Sequence, residues 1–287
     1  MASVSESLVT GHSGFIGQHL VSCLLRDKQR VIFFDGNTEL MPDLERVFRS
    51  ESFYKIFHMA GRVPRYNRIS SFDKRDYKAN IKSVSNIAIL CLKARKHVVF
   101  PSSIAVNGPS DIDITEESPL QPATLYGNSK LACERVLLDL IPKKCTIFRI
   151  GNVYGSLSTR GELIESLIRA GLSGAPVKVN LNPNSERDFI HVTDVVSAML
   201  KSSESAKTLC IGTGEGIGIR ALVEVIGQVL NTRIQVNFAE GAPRDRFVVN
   251  PSKLQSEIDF KPRVSLEDGI RETAEWVRKT NGKKQTN

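Results

Sequence analysis

One stretch, Ser7-Leu-Val-Thr-Gly-His-Ser-Gly-Phe-Ile-Gly17, constrains this chain more than any other: a short apolar run is followed by Gly11, Gly14 and Gly17 at three-residue spacing. The pattern resumes with Phe15, Ile16, His19, Leu20, Cys23 and Leu24 at helical spacing, so the segment reads as a strand turning tightly into a helix. Gly11 permits the turn, Gly14 the close approach of a pyrophosphate to backbone, and Gly17 close packing of helix on sheet. The pyrophosphate then rests at a helix N-terminus. Val31-Ile-Phe-Phe-Asp35 follows as a buried strand ending in a carboxylate, eighteen residues beyond Gly17. A carboxylate there accepts hydrogen bonds from the adenosine ribose hydroxyls and repels a 2′-phosphate. Ser13 stands where a basic residue would pair with that phosphate, so both features favour NAD over NADP.

The next segment is short. A parallel crossover usually takes a dozen or more residues, yet only seven separate Asp35 from Asp43-Leu44. Either the third strand is vestigial or its helix is missing. Tyr54 to Ala60 reads as a strand ending in His58-Met-Ala-Gly61, with small residues that let backbone approach a cofactor and His58 in a structural part. Asp76 to Lys96 is a helical pattern and His97 to Ser103 a strand, which places the hydroxyls of Ser102 and Ser103 at a strand's C-terminal end. Open parallel sheets bind ligands outside those ends, although a serine there also caps turns. Leu125 to Ile141 is a helix stopped by Pro142, with Tyr126 and Lys130 four residues apart on one face. A lysine ammonium beside a phenol stabilises the phenolate, which suits a general base.

With 287 residues, 41% of them hydrophobic, the chain can bury a nucleotide-binding domain and a smaller attached lobe. No run approaches the roughly 20 apolar residues of a membrane span, and no basic and apolar leader is present, so a soluble cytoplasmic protein is expected. The net charge of +8 comes from dispersed basic residues without a nucleic-acid-binding motif, so no nucleic-acid partner is expected. Cys23, Cys91, Cys133, Cys145 and Cys210 lie in apolar patterns without metal spacing and read as buried free thiols.

Thr10-Gly-His-Ser-Gly-Phe-Ile-Gly17, Asp35, His58-Met-Ala60, Phe100-Pro-Ser-Ser-Ile-Ala-Val-Asn-Gly108, Tyr126-Gly-Asn-Ser-Lys130, Arg149-Ile-Gly-Asn-Val-Tyr-Gly155 and Arg187-Asp-Phe-Ile-His-Val192 together resemble the extended short-chain dehydrogenase/reductases acting on nucleotide sugars, an NAD-dependent epimerase/dehydratase family. The motifs occur in the family's order over nearly the whole chain. The resemblance implies a Rossmann-type doubly wound parallel α/β sheet with a smaller C-terminal substrate-binding lobe. The expected division is 1–152 with 186–212 for the dinucleotide, and 153–185 with 213–287 for the substrate. It implies Tyr126 as catalytic base, Lys130 on the nicotinamide ribose and Ser103 on the reacting oxygen. NAD contacts are implied at Gly11, Gly14, Phe15, Ile16, Gly17, Asp35, Asp43, Leu44, Ala60, Tyr126 and Lys130. Asn152, Arg187 and Arg246 are implied to face the substrate diphosphate, with Arg244 close enough to exchange with Arg246; His191 is implied as a core histidine. Helices around Asn80 to Leu92 and Leu131 to Leu138 resemble the family's dimer-forming pair.

Departures matter as much. Ile104-Ala105 stands where the dehydratases of the family carry an acidic pair, which disfavours elimination of water. Asn107 replaces a tyrosine before Gly108, which is expected to loosen the pocket wall, and the contraction after Asp35 is expected to weaken adenine contacts. Beyond Gly155, Gly161 to Ala170, Leu222 to Leu230 and Leu266 to Val277 read as helices, Val177 to Leu181 as a strand, and the four-glycine stretch Gly212 to Gly218 as a connection. The leading expectation is an NAD-dependent epimerase of a nucleotide-diphosphate sugar, at C4, passing through a keto intermediate. The same residues serve a one-way NAD(P)H-dependent reduction of a 4-keto sugar, and an idle NAD-binding sensor is the reading from a different class.

Overall fold

The computed structural model describes residues 6–65, 71–158, 161–201 and 207–284. The first half alternates strands and helices: β1 (Glu6–Thr10), α1 (Phe15–Arg26), β2 (Arg30–Phe34), α2 (Met41–Ser50), β3 (Lys55–His58), α3 (Lys74–Ala94), β4 (His97–Ser103), α4 (Leu125–Leu140) and β5 (Cys145–Ile150). The chain continues through β6 (Asn152–Tyr154), α5 (Leu163–Ser173), β7 (Val177–Val179), β8 (Glu186–His191), α6 (Val192–Leu200), β9 (Lys207–Ile211), β10 (Gly216–Gly218), α7 (Ile219–Leu230), β11 (Val236–Phe238), β12 (Arg246–Phe247), α8 (Ser252–Ile258) and α9 (Leu266–Lys284).

Among the described residues, six parallel strands form one sheet in the order β2-β1-β3-β4-β5-β9. The order reverses between β1 and β3. A crevice opens outside the strand ends at such a switch point. Both faces of the sheet are covered, and the sequence shows how: Leu8, Ile56, Val98 and Ile147 pack with α2, α3 and α4, while their chain neighbours Val9, Phe57, Val99 and Phe148 pack with α1 and α6. Successive strand residues point to opposite faces, so a strand buried on both sides must be apolar throughout.

The contraction after Asp35 is resolved by this topology. The helix is present and the third strand is missing: α2 carries the chain from the edge strand β2 directly over β1 to β3. Met41, Leu44, Val47 and Phe48 supply its buried stripe, and Pro42 sits in its first turn, where a missing amide hydrogen costs nothing.

A second sheet of four strands runs β10-β8-β12 with β6 on β8. Glu186–His191, expected with the dinucleotide domain, is the centre of that sheet, and the chain rejoins the large sheet only at α6 and β9. Part of the four-glycine stretch, expected as a loop, is the strand β10. A third core, built on Leu163, Leu167, Leu222, Ile226, Ile270 and Val277, joins α5, α7 and α9. Four cysteines are buried, Cys23 is half-buried, and all five are free. Phe148 has no exposed surface. Phe148→Ala should therefore lower the unfolding free energy by about 3–5 kcal/mol in urea titration, and a loss below about 1 kcal/mol would contradict the packing described.

Candidate active site

The turn after β1 is built by backbone crowding. Gly11 has φ +64°, and a Cβ there would lie 2.4 Å from the Ala60 nitrogen; a Cβ on Gly17 would lie 2.2 Å from the Gly11 carbonyl oxygen. No side chain fits at either place. At Gly14, which caps α1, an added Cβ would meet nothing nearer than 3.1 Å, so its smallness leaves room for a ligand. The first turn of α1 holds no acidic residue, and its leading amides lack intrahelical acceptors. Such a cradle fits a pyrophosphate.

Below the turn lies a buried relay. The His58 imidazole contacts Thr10 Oγ1 at 2.8 Å through Nδ1 and Ser83 Oγ at 3.1 Å through Nε2, and Ser83 donates onward to Thr38 Oγ1 at 2.7 Å. With Ser83 donating to Thr38, the consistent tautomer of His58 carries its hydrogen on Nε2 and accepts from Thr10. Asn86 Nδ2 also donates to the Thr38 carbonyl at 3.1 Å. The loop after Asp35 is thus pinned to α3 and to the ends of β1 and β3, in place of the missing strand. Burial, reinforced by the Lys130 charge, lowers the His58 pKa to about 3.

A cavity of about 380 Å³ opens beside the turn. Gly14, Phe15, Ile16 and Gly17 line one side, Ser103, Tyr126 and Lys130 another, and Asn152 and Arg187 a third. All of these were expected from sequence to meet a cofactor or substrate, and the structure brings them to one space. Thr124 starts α4 by accepting the Gly127 amide at 3.0 Å. Its first turn then carries Tyr126, edge-on to Phe72 at 5.6 Å. One turn on, the Lys130 ammonium donates to the Pro101 carbonyl at 2.7 Å and lies 5.9 Å from the Tyr126 ring centroid. Ser103 Oγ accepts the Ala105 amide at 3.2 Å, which leaves its O–H to donate elsewhere. Asn152 Nδ2 donates to the Asp188 carbonyl at 3.1 Å. Arg187 is held by Asp245 at 2.7 and 2.8 Å and stacks on Phe247 at 4.9 Å. The Asp188 carboxylate, its pKa raised by burial, takes hydrogen bonds from Thr213, Gly214 and Val249 and so ties β8 to the segments beside it.

The other candidates lie outside the cavity lining. Gly11 and Ala60 meet backbone to backbone at the turn, with the Ala60 amide donating to Thr10 Oγ1 at 3.2 Å. Asp35 stands at the end of β2 with 81% of its side chain exposed, 3.3 Å from His12 Nε2. Asp43 accepts the Asn37 amide at 3.0 Å. Two expectations are corrected. Leu44 has no exposed surface and packs in the core, so its side chain meets no cofactor. Arg246 pairs with Glu186 across β12 and β8, whereas Arg187 pairs with Phe247; strand alternation therefore turns Arg246 to the opposite face from Arg187. There it binds Glu186 at 3.1 Å and Asp113. Arg244 also binds Glu186, at 3.2 Å, and is no substitute. Asn107 is buried away from the cavity lining and donates to the Ser118 and Pro119 carbonyls at 3.1 and 3.2 Å. Glu162 and Tyr154 line the cavity without having been singled out. The one signal for Glu162 is its place just before the apolar repeat of α5.

The sequence pattern of the NAD dependent epimerase/dehydratase family matches residues 7–212. The chain belongs to that family. Within the epimerase/dehydratase family it is 27% identical over 329 residues to UDP-glucose 4-epimerase of Azospirillum brasilense, covering 96% of this chain and 93% of that protein. It is 26% identical over 334 residues to UDP-arabinose 4-epimerase 1 of Arabidopsis thaliana, covering 95% and 79%. UDP-glucose 4-epimerase of Thermus thermophilus, solved in complex with NAD, is similar with TM-score 0.85 at 25% identity, over 95% of this chain and 99% of that one. No described helix is long and apolar enough to cross a membrane.

The His58 relay gives a pH test. Between the usual 6.5 and about 3 the unfolded chain binds a proton that folded His58 refuses, so stability falls as the pH falls, by about 1.4 kcal/mol per pH unit from this group. The difference in unfolding free energy between wild type and His58→Gln, measured by urea titration, should shrink at that slope on acidification. A constant difference would reject the neutral buried imidazole.

Proposed function

We propose that the protein is an NAD-dependent epimerase of a nucleotide-diphosphate sugar, acting at C4, with UDP-sugars the class that its relatives' names support. The observation that carries this reading is that Ser103, Tyr126, Lys130, Asn152 and Arg187 line the same cavity as the glycine turn. The turn fits NAD: crowding at Gly11 and Gly17 and the uncharged first turn of α1 leave a backbone cradle. NAD, when bound, supplies a hydride acceptor that gives the hydride back.

The remaining work falls to the chain. Tyr126 as phenolate takes the proton of the sugar hydroxyl and later returns it. Lys130, fixed by the Pro101 carbonyl, holds the phenolate by its charge and binds the nicotinamide ribose. Ser103, whose lone pair is engaged by the Ala105 amide, donates its O–H to the reacting oxygen. Arg187 and Asn152 hold the diphosphate while the sugar turns between its two faces. Positioning of this kind lowers a barrier by several kcal/mol. Ile104 and Ala105 offer no acid or base beside Ser103, which supports epimerisation over loss of water. Asp35 beside the turn supports NAD over NADP.

A homodimer is supported by leucines exposed on adjoining helices, Leu92 on α3 and Leu125, Leu138 and Leu140 on α4. Five free thiols support a reducing, cytoplasmic setting.

Purified protein given NAD and a panel of UDP-, GDP- and dTDP-sugars should interconvert C4 epimers without added reductant. Tyr126→Phe should lower kcat by about 10²–10⁴-fold with NAD binding retained. Stoichiometric consumption of NADH or NADPH on a 4-keto sugar, without epimerisation, would make the protein a one-way reductase. Unchanged cellular function in Tyr126→Phe would make it a sensor.

A further inference from the structure

Tyr126, Lys130 and Glu134 stand at four-residue spacing on α4 and form one stripe of the helix. The first two belong to the site above. Glu134 does not, although it carries a carboxylate and is only 1% exposed. Its oxygen Oε1 accepts the hydroxyl of Ser102. One residue earlier, Pro101 accepts Lys130 Nζ at 2.7 Å. Two consecutive residues at the end of β4 are therefore tied to the α4 stripe, immediately before Ser103.

Glu134 is itself braced from the sheet. Arg149, which stands opposite Ser102 in the β4–β5 register, donates through Nε at 3.2 Å to both carboxylate oxygens and through Nη2 at 2.8 Å to one of them. Arg149 Nη1 also donates to the Glu116 carbonyl at 3.1 Å, and Glu116 Oε1 accepts the Cys210 amide at 2.6 Å. The clamp thus extends across β4, β5 and β9. A buried ion pair adds little net stability over apolar residues of the same volume. What it fixes is geometry.

We propose that Glu134 is a positioning residue for the sugar reaction: latched to Ser102 and braced by Arg149, it sets the distance between the end of β4 and α4, and with it the place of the Ser103 hydroxyl relative to the Tyr126 phenol. The inference rests on the function proposed above. Misplacing a reacting group by about an ångström costs up to about a hundredfold in rate, so a latch one residue from Ser103 acts on turnover more than on binding.

Two variants test it. Ser102→Ala opens the latch and leaves the Glu134–Arg149 pair whole. Glu134→Met combined with Arg149→Met removes both charges at once, so that neither is left buried alone. Each should keep a cooperative thermal transition and NAD binding, and lower kcat by about ten- to a hundredfold with KM for the nucleotide sugar changed less than about twofold. Adding Ser102→Ala to the double variant should cost nothing more, because the two changes break one interaction. Wild-type kcat in Ser102→Ala overturns the proposal, as does a loss of thermal stability with kcat unchanged. A further loss in the triple variant also overturns it, because Ser102 would then touch substrate directly. If the wild type turns over no nucleotide sugar, the functional reading has failed, and the latch is judged by hydrogen exchange at the Ala105 amide bound to Ser103 Oγ. Faster exchange in Ser102→Ala supports it, and an unchanged rate overturns it.

Discussion

Everything in the site depends on how closely α1 approaches the turn before it. The Gly11 carbonyl lies where a Cβ on Gly17 would be, and the Ala60 backbone lies where a Cβ on Gly11 would be. Because both positions lack a side chain, the end of β1, the start of α1 and the end of β3 meet backbone to backbone. That contact leaves the first amides of α1 facing the crevice at the reversal of strand order. Replacing either glycine would open the wedge and move the helix that the cofactor needs.

The two walls of the crevice are held by different physics. On the turn side, neutral hydrogen bonds run from Thr10 through His58 and Ser83 to Thr38, so a loop with no strand to anchor it is fixed without buried charge. On the reaction side, Lys130, Glu134 and Arg149 place charge against the end of β4. Buried charges need partners on every side; here the partners are the Pro101 carbonyl, the Ser102 hydroxyl and the Glu116 carbonyl, each on or beside an element that carries the site. The arrangement ties Ser103 to the helix that bears Tyr126.

Legibility in the sequence followed the range of the interactions. The glycine turn, the Tyr126–Lys130 pair and the serines ending β4 are local patterns whose geometry is set within one element or one turn, and they were readable from spacing. The apolar runs of β3 and β4 likewise announced strands, whereas Val31 to Phe34, expected as a buried strand, is the edge strand β2, with only Phe34 buried and Phe33 exposed. Arg246 was misplaced because its direction depends on the pairing of the two-residue strand β12 with β8, a register set by contacts sixty residues away in sequence. Leu44, expected at the cofactor, has with Met41, Val47 and Phe48 the spacing of a helix buried on one side. Read as a helix, the same residues would have shown that the strand, and not the crossover, is what the short segment lacks. Glu162 and the partners of Glu134 could not be read, because they are defined only by distant elements that fold against them.

The most direct test of a closed cycle of oxidation and return in this cavity is the fate of deuterium placed at C4 of a UDP-sugar incubated with the protein and NAD in ordinary water. Such a cycle predicts that the C4 epimer forms with the deuterium still on C4 and with no reductant consumed. Loss of the label to solvent during epimerisation would contradict it.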